Sequence, residues 1–136
     1  MNIEQFIAQA AADAVEALYG VAGAPLQIQK TRKEFAGDYT LVVFPLLRAS
    51  RKGPEATAAE IGERLVADRP EIRAYNVVKG FLNLELDASF WAARFSEVVA
   101  AADYGQAAPT GRTVMIEYSS PNTNKPLHLG HVRNNL

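Results

Sequence analysis

Two histidines, a glycine and a lysine lie within seven residues near the end of the sequence. His128 and His131 are three residues apart, so on a helix they would share one side of its first turn. Both imidazoles can donate hydrogen bonds to phosphate oxygens, and Lys125 adds a positive charge beside them. Gly130 lacks a side chain that would keep a ligand away from the backbone. The pattern predicts chemistry in which negative charge develops on a phosphate.

The elements around these residues fit the same chemistry. Residues 113–117 form a nearly continuous apolar run, which predicts a strand buried on both faces of a parallel sheet. A polar loop follows, and a helix is predicted to start near Leu127. Backbone N–H groups and the helix dipole favour an anion where a strand, a loop and a helix N-terminus meet.

Other interpretations of the same residues stay open at this point. Each of them taken alone is an ordinary surface residue, and the polar run can be no more than a turn. Both histidines could also ligate zinc, but the chain has no cysteine and only one nearby acid, Glu117. We therefore predict no bound metal.

Length and composition limit the remaining possibilities. The 136 residues are 49% hydrophobic and 21% charged, which suits one domain, or a small domain with part of a second. The absence of cysteine excludes disulfides and thiolate chemistry. No run of about 18 apolar residues and no basic leader occurs, so we expect a cytoplasmic protein without a membrane partner.

Positive charge is concentrated in one segment of the N-terminal part. Residues 30–52 carry six bases against two acids, whereas residues 1–29 carry three acids and no Lys or Arg. The six bases are Lys30, Arg32, Lys33, Arg48, Arg51 and Lys52. Such a segment predicts contacts with the phosphates of a nucleic acid, although basic residues are also common on surfaces that bind nothing.

Seven elements are predicted before residue 105, from hydrophobic periodicity and turn residues. They are a helix over 2–19, strands over 26–29 and 39–44, a helix from Pro54 to Pro70, a hairpin around Lys79-Gly80, and a helix capped by Asp87 or Ser89. Trp91, Phe95, Val98 and Ala102 should form the core side of this last helix. The prediction is a compact α+β domain with a mostly antiparallel sheet covered by helices.

A run rich in Gly, Pro and polar residues then interrupts all periodicity. We predict three regions: an N-terminal domain over 1–104, a linker over 105–112, and the first strand and helix start of a truncated Rossmann-type domain over 113–136.

The segment Glu117-Tyr-Ser-Ser-Pro-Asn-Thr-Asn-Lys-Pro-Leu-His-Leu-Gly-His-Val-Arg133 closely resembles the first signature of class I aminoacyl-tRNA synthetases, in the form found in arginyl-tRNA synthetases. The N-terminal part resembles that family's extra domain, in Phe35-Ala-Gly-Asp-Tyr39 and in Val77-Val-Lys-Gly-Phe-Leu-Asn-Leu84. Other His-x-Gly-His nucleotidyltransferases carry the motif near their N-terminus, whereas here more than a hundred residues precede it.

The resemblance implies activation of arginine by ATP with Mg²⁺, followed by transfer to tRNA(Arg). It implies phosphate stabilisation by His128 and His131, nucleotide binding at Gly130, and a catalytic role for Lys125. It implies arginine binding by Glu117, Ser120 and Asn122, and docking of the N-terminal domain, with its six bases, at the tRNA elbow.

We expect the 136 residues alone to be inactive, because the resemblance places the second signature and the anticodon-binding region beyond Leu136. No obligate protein partner is expected. Two alternatives remain at this stage: a free-standing RNA-binding module, and another His-x-Gly-His nucleotidyltransferase.

Overall fold

The computed structural model of the chain describes residues 3–116, 121, 122 and 124–136. These residues divide into two units, Met1–Ala102 and Asp103–Leu136. The predicted linker over residues 105–112 belongs to the second unit, and its role as a connection between domains stays a prediction.

The first unit contains four strands and four helices. In chain order they are α1 (Ile3–Tyr19), β1 (Gln27–Lys30), β2 (Tyr39–Val42), α2 (Leu47–Ser50), α3 (Pro54–Asp68), β3 (Ile72–Val78), β4 (Phe81–Leu86) and α4 (Ala88–Ala100). The predicted α+β class is confirmed, and each predicted element of this unit is present within a few residues of its expected bounds. The short helix α2, and the 3-10 turn Phe44–Leu46 before it, were not predicted.

The four strands form one antiparallel sheet in the order β1-β2-β4-β3. Because side chains alternate along a strand, one sheet face carries apolar residues such as Leu41, Leu82 and Leu84, and α1 and α3 pack against this side. We call the opposite side, which these helices do not cover, the outer face. It carries Gln29, Thr40 and Asn83, among others.

The core between the sheet and the helices is made of aliphatic side chains. Those with almost no exposed surface include Ile7, Val15, Leu41, Val43, Leu46, Ile61, Leu65, Ile72, Leu82 and Leu84. Helix α3 approaches the sheet closely at Gly62, where a Cβ atom would lie only 2.5 Å from the ring of Tyr75. Glycine at this position therefore lets the helix and β3 come together.

Two predicted details of the first unit are wrong. Strand β2 ends at Val42 rather than at residue 44, because the chain turns into a 3-10 turn with Pro45 in its first turn. Helix α4 buries Phe90, whose ring lies 5.2 Å from that of Phe6, whereas Trp91 and Phe95 are exposed. Asp87 caps this helix by accepting a hydrogen bond from the Ser89 N–H. The helix therefore packs on the core through Phe90, one residue before the Trp91 that was predicted.

The described residues of the second unit have little regular structure. Residues 113–116 of the predicted strand form no strand, and Glu117 lies outside the described residues. A strand requires a hydrogen-bonded neighbour, and every strand in the described residues pairs within the first unit. One helix, α5 (Leu129–Asn135), is present. Nowhere in the described ranges is a helix long and apolar enough to cross a membrane.

Candidate functional sites

The outer face carries a row of polar side chains that runs across all four strands. The register places Gln29 of β1 opposite Thr40 of β2, Thr40 opposite Asn83 of β4, and Asn83 opposite Asn76 of β3. Thr40 is 4% exposed and Asn83 only 1% exposed. Polar groups buried to this extent need hydrogen-bond partners, since an unpaired one is costly.

A continuous chain of hydrogen bonds satisfies three members of this row, Thr40, Asn83 and Asn76. The Thr40 hydroxyl donates to the Asn83 Oδ1 over 2.6 Å, and the Thr31 hydroxyl lies 3.0 Å from that of Thr40. The Asn83 Nδ2 donates to the Asn76 Oδ1 over 2.9 Å, and the Asn76 Nδ2 donates to the Ala36 carbonyl over 2.8 Å. The network fixes the amide of Asn83 in one orientation.

The loop between β1 and β2 folds onto the outer face, and its sequence explains how. The Asp38 N–H donates to the Leu84 carbonyl over 2.7 Å, and the Asp38 Oδ2 accepts from the Leu86 N–H over 2.8 Å. Gly37 has a φ of +116° and lies so close that a Cβ atom would be 3.1 Å from the Leu84 carbonyl oxygen. Tyr39 then enters the core. The Phe35–Tyr39 segment is therefore a clamp that holds the loop on β4.

Beside this loop is a cavity of about 190 Å³ on the outer face. The residues around it are Gln29, Arg32, Phe35, Thr40, Val78, Lys79, Phe81 and Asn83. A tight turn, in which the Phe35 N–H donates to the Arg32 carbonyl over 3.0 Å, brings Arg32 and Phe35 to it together. The cavity thus combines two aromatic rings, two cations and several amide or hydroxyl groups without a lining carboxylate.

The structure distributes the six predicted bases over two segments. Lys30, Arg32 and Lys33 lie at the end of β1 and in the loop that follows, whereas Arg48, Arg51 and Lys52 lie in and after α2. All six are exposed, but of this set only Arg32 lines the cavity.

Lys52 is engaged in an ion pair. Its Nζ lies 2.8 Å from the Glu60 Oε1, and the Tyr19 hydroxyl donates to the other Glu60 oxygen over 2.8 Å. These two hydrogen bonds, that of Lys52 first, lower the pKa of Glu60. Burial, followed by the bond to Glu60, raises the pKa of Tyr19. Lys52 is therefore less available to a phosphate than the other five bases.

Several residues of the cavity were absent from the predicted site. Gln29, Phe35, Lys79, Phe81 and Asn83 line it, yet the prediction rested on the density of charge alone. Three of them fall in the Val77–Leu84 segment on which the family resemblance was based. That segment is the signal that could have found them.

The signature segment places its two histidines together. His128 is the N-cap of α5 rather than part of its first turn, and the helix starts at Leu129 instead of near Leu127. The backbone of His128 is extended, with φ −129° and ψ 170°, so the helix cannot include it. The two imidazole ring centroids are 3.9 Å apart, as the i, i+3 spacing predicts.

Both histidine side chains cap the helix through the same ring atom. The Gly130 N–H donates to the His128 Nδ1 over 3.1 Å, and the His128 N–H donates to the His131 Nδ1 over 3.1 Å. Since both Nδ1 atoms accept, each neutral ring carries its proton on Nε2. The pair thus has two Nε2–H donors to offer to an anion. Two of the backbone N–H groups expected to bind phosphate are instead occupied by the histidines themselves.

Gly130 is required by this capping geometry. A Cβ atom at this position would lie 2.8 Å from the His128 Cε1 and 2.9 Å from its Nδ1. Any other residue would push the His128 ring away from the helix terminus. The glycine therefore positions a histidine, in addition to the close ligand approach predicted for it.

The remaining predicted residues of the signature are only partly described. Lys125 is exposed, and its N–H donates to the Asn122 carbonyl over 3.2 Å, which closes a turn before α5. The Asn122 side chain is exposed, while Glu117 and Ser120 lie outside the described residues. Within the described part of the chain no group of three His, Asp or Glu side chains could hold a metal.

Comparisons with known proteins match the chain in two segments. A family described as the arginyl tRNA synthetase N terminal domain matches residues 1–86, and one described as the catalytic domain of class I (R) tRNA synthetases matches residues 95–136. The solved Thermus thermophilus arginyl-tRNA synthetase matches 98% of this chain and 21% of its own, with a TM-score of 0.59 and 30% identity.

Curated relatives carry the same name. Arginine–tRNA ligase of Bacteroides fragilis strain YCH46 is 55% identical over 140 residues, which cover all of this chain and 24% of that protein. Arginine–tRNA ligase of Amoebophilus asiaticus strain 5a2 is 41% identical and is covered to 23%. The matched segments define a class I aminoacyl-tRNA synthetase. The chain belongs to the arginyl-tRNA synthetase family and spans about a quarter of the length of these relatives.

Proposed function

We propose that this chain is the part of an arginine–tRNA ligase that docks tRNA(Arg) and supplies the first ATP-binding segment. Residues 1–102 would bind the RNA, and residues 103–136 would contribute to the activation of arginine by ATP in the cytoplasm. Mg²⁺ would enter bound to the phosphates of ATP, as is usual for this ion. The match to a catalytic-domain family over residues 95–136 favours this function over a free-standing RNA-binding module.

The outer-face cavity is the observation that carries the RNA-binding part. Its volume of about 190 Å³ is below the roughly 300–1,000 Å³ typical of sites for drug-sized ligands, which suits a single fragment such as one base. Phe35 and Phe81 offer rings on which a base can stack, and the amide of Gln29 can reach the base edge. Arg32 supplies charge for an adjoining phosphate. We infer that an unpaired tRNA nucleotide enters this cavity.

Base stacking and contacts between cations and phosphates should both contribute to the affinity for tRNA. If about three of the exposed cations reach phosphates, the logarithm of the association constant should fall with that of salt at a slope of about −2 to −3. We expect Arg32→Glu with Lys33→Glu to weaken tRNA binding and to flatten this slope, and fluorescence anisotropy with labelled tRNA(Arg) measures both.

A matched substitution distinguishes the contribution of the cavity to tRNA affinity from that of the positive charges. Phe81→Leu keeps net charge and an apolar side chain, so it should lower affinity without changing the salt slope. A folded Arg32→Glu, Lys33→Glu variant that binds tRNA as tightly as the wild type at low salt would place the RNA site elsewhere on the unit.

The signature segment supports the ATP-binding part of the proposal. The Nε2–H groups of His128 and His131 would donate to the phosphates of ATP as charge develops on them, and Lys125 would add positive charge. Asn122, Glu117 and Ser120 would bind arginine, as the resemblance implies. The 136 residues alone should form no arginyl-adenylate, and arginine-dependent ATP turnover by the pure chain would contradict this.

The histidines can be tested in a full-length enzyme that carries this segment. His128→Ala or His131→Ala should lower kcat by an amount equivalent to about 2–4 kcal/mol, with little change in tRNA affinity. Equal losses of tRNA affinity and of rate would show that these residues act structurally and not on the phosphates.

A further inference from the structure

Arg51 and Lys79 are the non-glycine residues with a left-handed backbone in the described parts of the chain. Arg51 has φ 55° and Lys79 has φ 49°. This conformation brings Cβ close to the following carbonyl and is unfavourable for a long side chain, whereas glycine and asparagine tolerate it. Both left-handed residues are cations.

Lys79 lies at the tip of the β3–β4 hairpin, in a turn that favours another residue. Lys79 and Gly80 both have positive φ, 49° and 79°, which is the type I′ pattern for which Asn-Gly is the preferred pair. Gly80 packs tightly: a Cβ atom there would lie 2.7 Å from the Pro54 Cβ and 3.1 Å from the Phe44 ring. The tip is therefore held in place, and Lys79 keeps its unfavourable backbone.

The surroundings of Lys79 point to an anionic ligand. Its side chain lines the outer-face cavity together with Arg32 and Phe81. It forms no ion pair with any residue that the structure describes. The backbone conformation of this turn is unfavourable for lysine, and the Lys79 ammonium has no ion-pair partner among the described residues. Its charge is therefore free to bind an anionic group outside the protein.

Arg51 shares the left-handed backbone of Lys79 and, in the described part of the chain, its unpaired charge, although it does not line the cavity. It ends α2 as a left-handed C-cap, a place that glycine usually occupies, and its N–H donates to the Leu47 carbonyl over 2.9 Å. Its side chain is exposed and unpaired among the described residues. Pro54, three residues later, is the residue against which the hairpin tip packs. The two left-handed cations thus lie on segments that contact each other.

We infer that Lys79 and Arg51 bind successive phosphates of the RNA strand whose base enters the cavity, and that their strained backbones are kept for this purpose. This inference rests on the proposed RNA binding. It adds Lys79 to the predicted basic residues and gives Arg51 a specific role among them.

Asparagine substitutions distinguish the effect of the charge of these residues on binding from the effect of their backbone conformation on stability. Lys79→Asn and Arg51→Asn suit a left-handed conformation, so each variant should melt at the wild-type temperature or above it. Each should bind tRNA(Arg) about tenfold more weakly at low salt, with a salt slope smaller by about 1. Lys79→Arg keeps the charge and should keep the slope.

Arg112→Asn is the matched control, because it removes one exposed charge from the second unit and should leave the slope unchanged. Equal binding by the wild type and Lys79→Asn, an equal loss in Arg112→Asn, or a lower melting temperature of Lys79→Asn would each overturn the inference. If the wild type itself binds no tRNA at low salt, the proposed function fails and the inference fails with it.

Discussion

The two units of the chain use apolar residues in opposite ways. In the first unit the strands and helices enclose an aliphatic core in which Leu41, Leu82 and Leu84 have no exposed surface, although Phe95 of α4 is exposed. In the second unit Val114, Met115 and Ile116 are 71%, 92% and 71% exposed. Among the described side chains of residues 103–136 only His131 is even partly buried.

This difference reflects whether each segment contains the residues with which its own elements must pair. The first unit carries all the partners of its strands, so that the sheet, the loop clamp and the outer-face cavity form from its own residues. The signature segment brings only its local geometry, in which two histidines and a glycine cap one short helix. Local hydrogen bonds set the orientation of the two histidine side chains, whereas an apolar run without neighbouring strands stays unpaired.

The largest effect should come from paired truncations in the two units. Leu41→Ala removes a buried side chain from the centre of the core and should lower the free energy of unfolding by about 2–5 kcal/mol. Met115→Ala, at an exposed position, should change it by less than about 0.5 kcal/mol. Urea denaturation followed by circular dichroism measures both. Similar losses in the two variants would show that residues 113–116 take part in a core.

A smaller effect is expected from the polar row. Asn83→Ala removes the acceptor of the buried Thr40 hydroxyl and the donor to the Asn76 Oδ1, and should lower the free energy of unfolding by about 1–3 kcal/mol. Asn122→Ala removes an exposed amide of the second unit and is the matched control. Urea denaturation should show a loss for the first variant only. A free energy of unfolding that is the same in Asn83→Ala as in the wild type would mean that the hydrogen-bond chain does not stabilise the fold.

Limited proteolysis compares the units without any substitution. We expect the first cuts between Tyr104 and Arg112, because every residue of this stretch is exposed and its few hydrogen bonds are local. Mass spectrometry of the early fragments locates the cuts. An initial cut within residues 80–100 would contradict the division into units.

The smallest effect concerns pH. The pKa of Glu60 is lowered in the folded state, so its contribution to stability is present above its ordinary pKa of 4.5 and is lost as pH falls through the folded value. The stability difference between the wild type and Glu60→Gln should therefore shrink on acidification from pH 7 to pH 3. A difference that stays constant over this range would show that the contacts with Lys52 and Tyr19 do not depend on the charge of Glu60.

Apolar patterns and turn residues predicted most of the fold of the first unit, but they missed α2, whose four residues are too few to show a pattern. They failed for α4, where Phe90 rather than Trp91 meets the core, since two adjacent aromatic residues leave the buried side undecided. They also failed for residues 113–116, whose apolar character indicates burial but cannot supply a neighbouring strand. The i, i+3 spacing correctly predicted that His128 and His131 lie together.

The cavity could not have been predicted from charge density. It forms where the loop after β1 folds across to β4, and Lys79 and Asn83 reach it from a distant part of the sequence. Such a site depends on strand order, which a single sequence does not show. The two short motifs of the resemblance, Phe35–Tyr39 and Val77–Leu84, contain most of its residues.

Mapping the tRNA contact by NMR tests the central claim most directly. Addition of tRNA(Arg) to the ¹⁵N-labelled chain should shift the amide signals of the outer face and its hairpin tip, with the largest changes at Gln29, Arg32, Phe35, Lys79 and Phe81. The signals of α1, on the opposite side of the sheet, should stay in place. Shifts concentrated on α1, or on the signature segment with none at the cavity, would contradict RNA docking on the outer face.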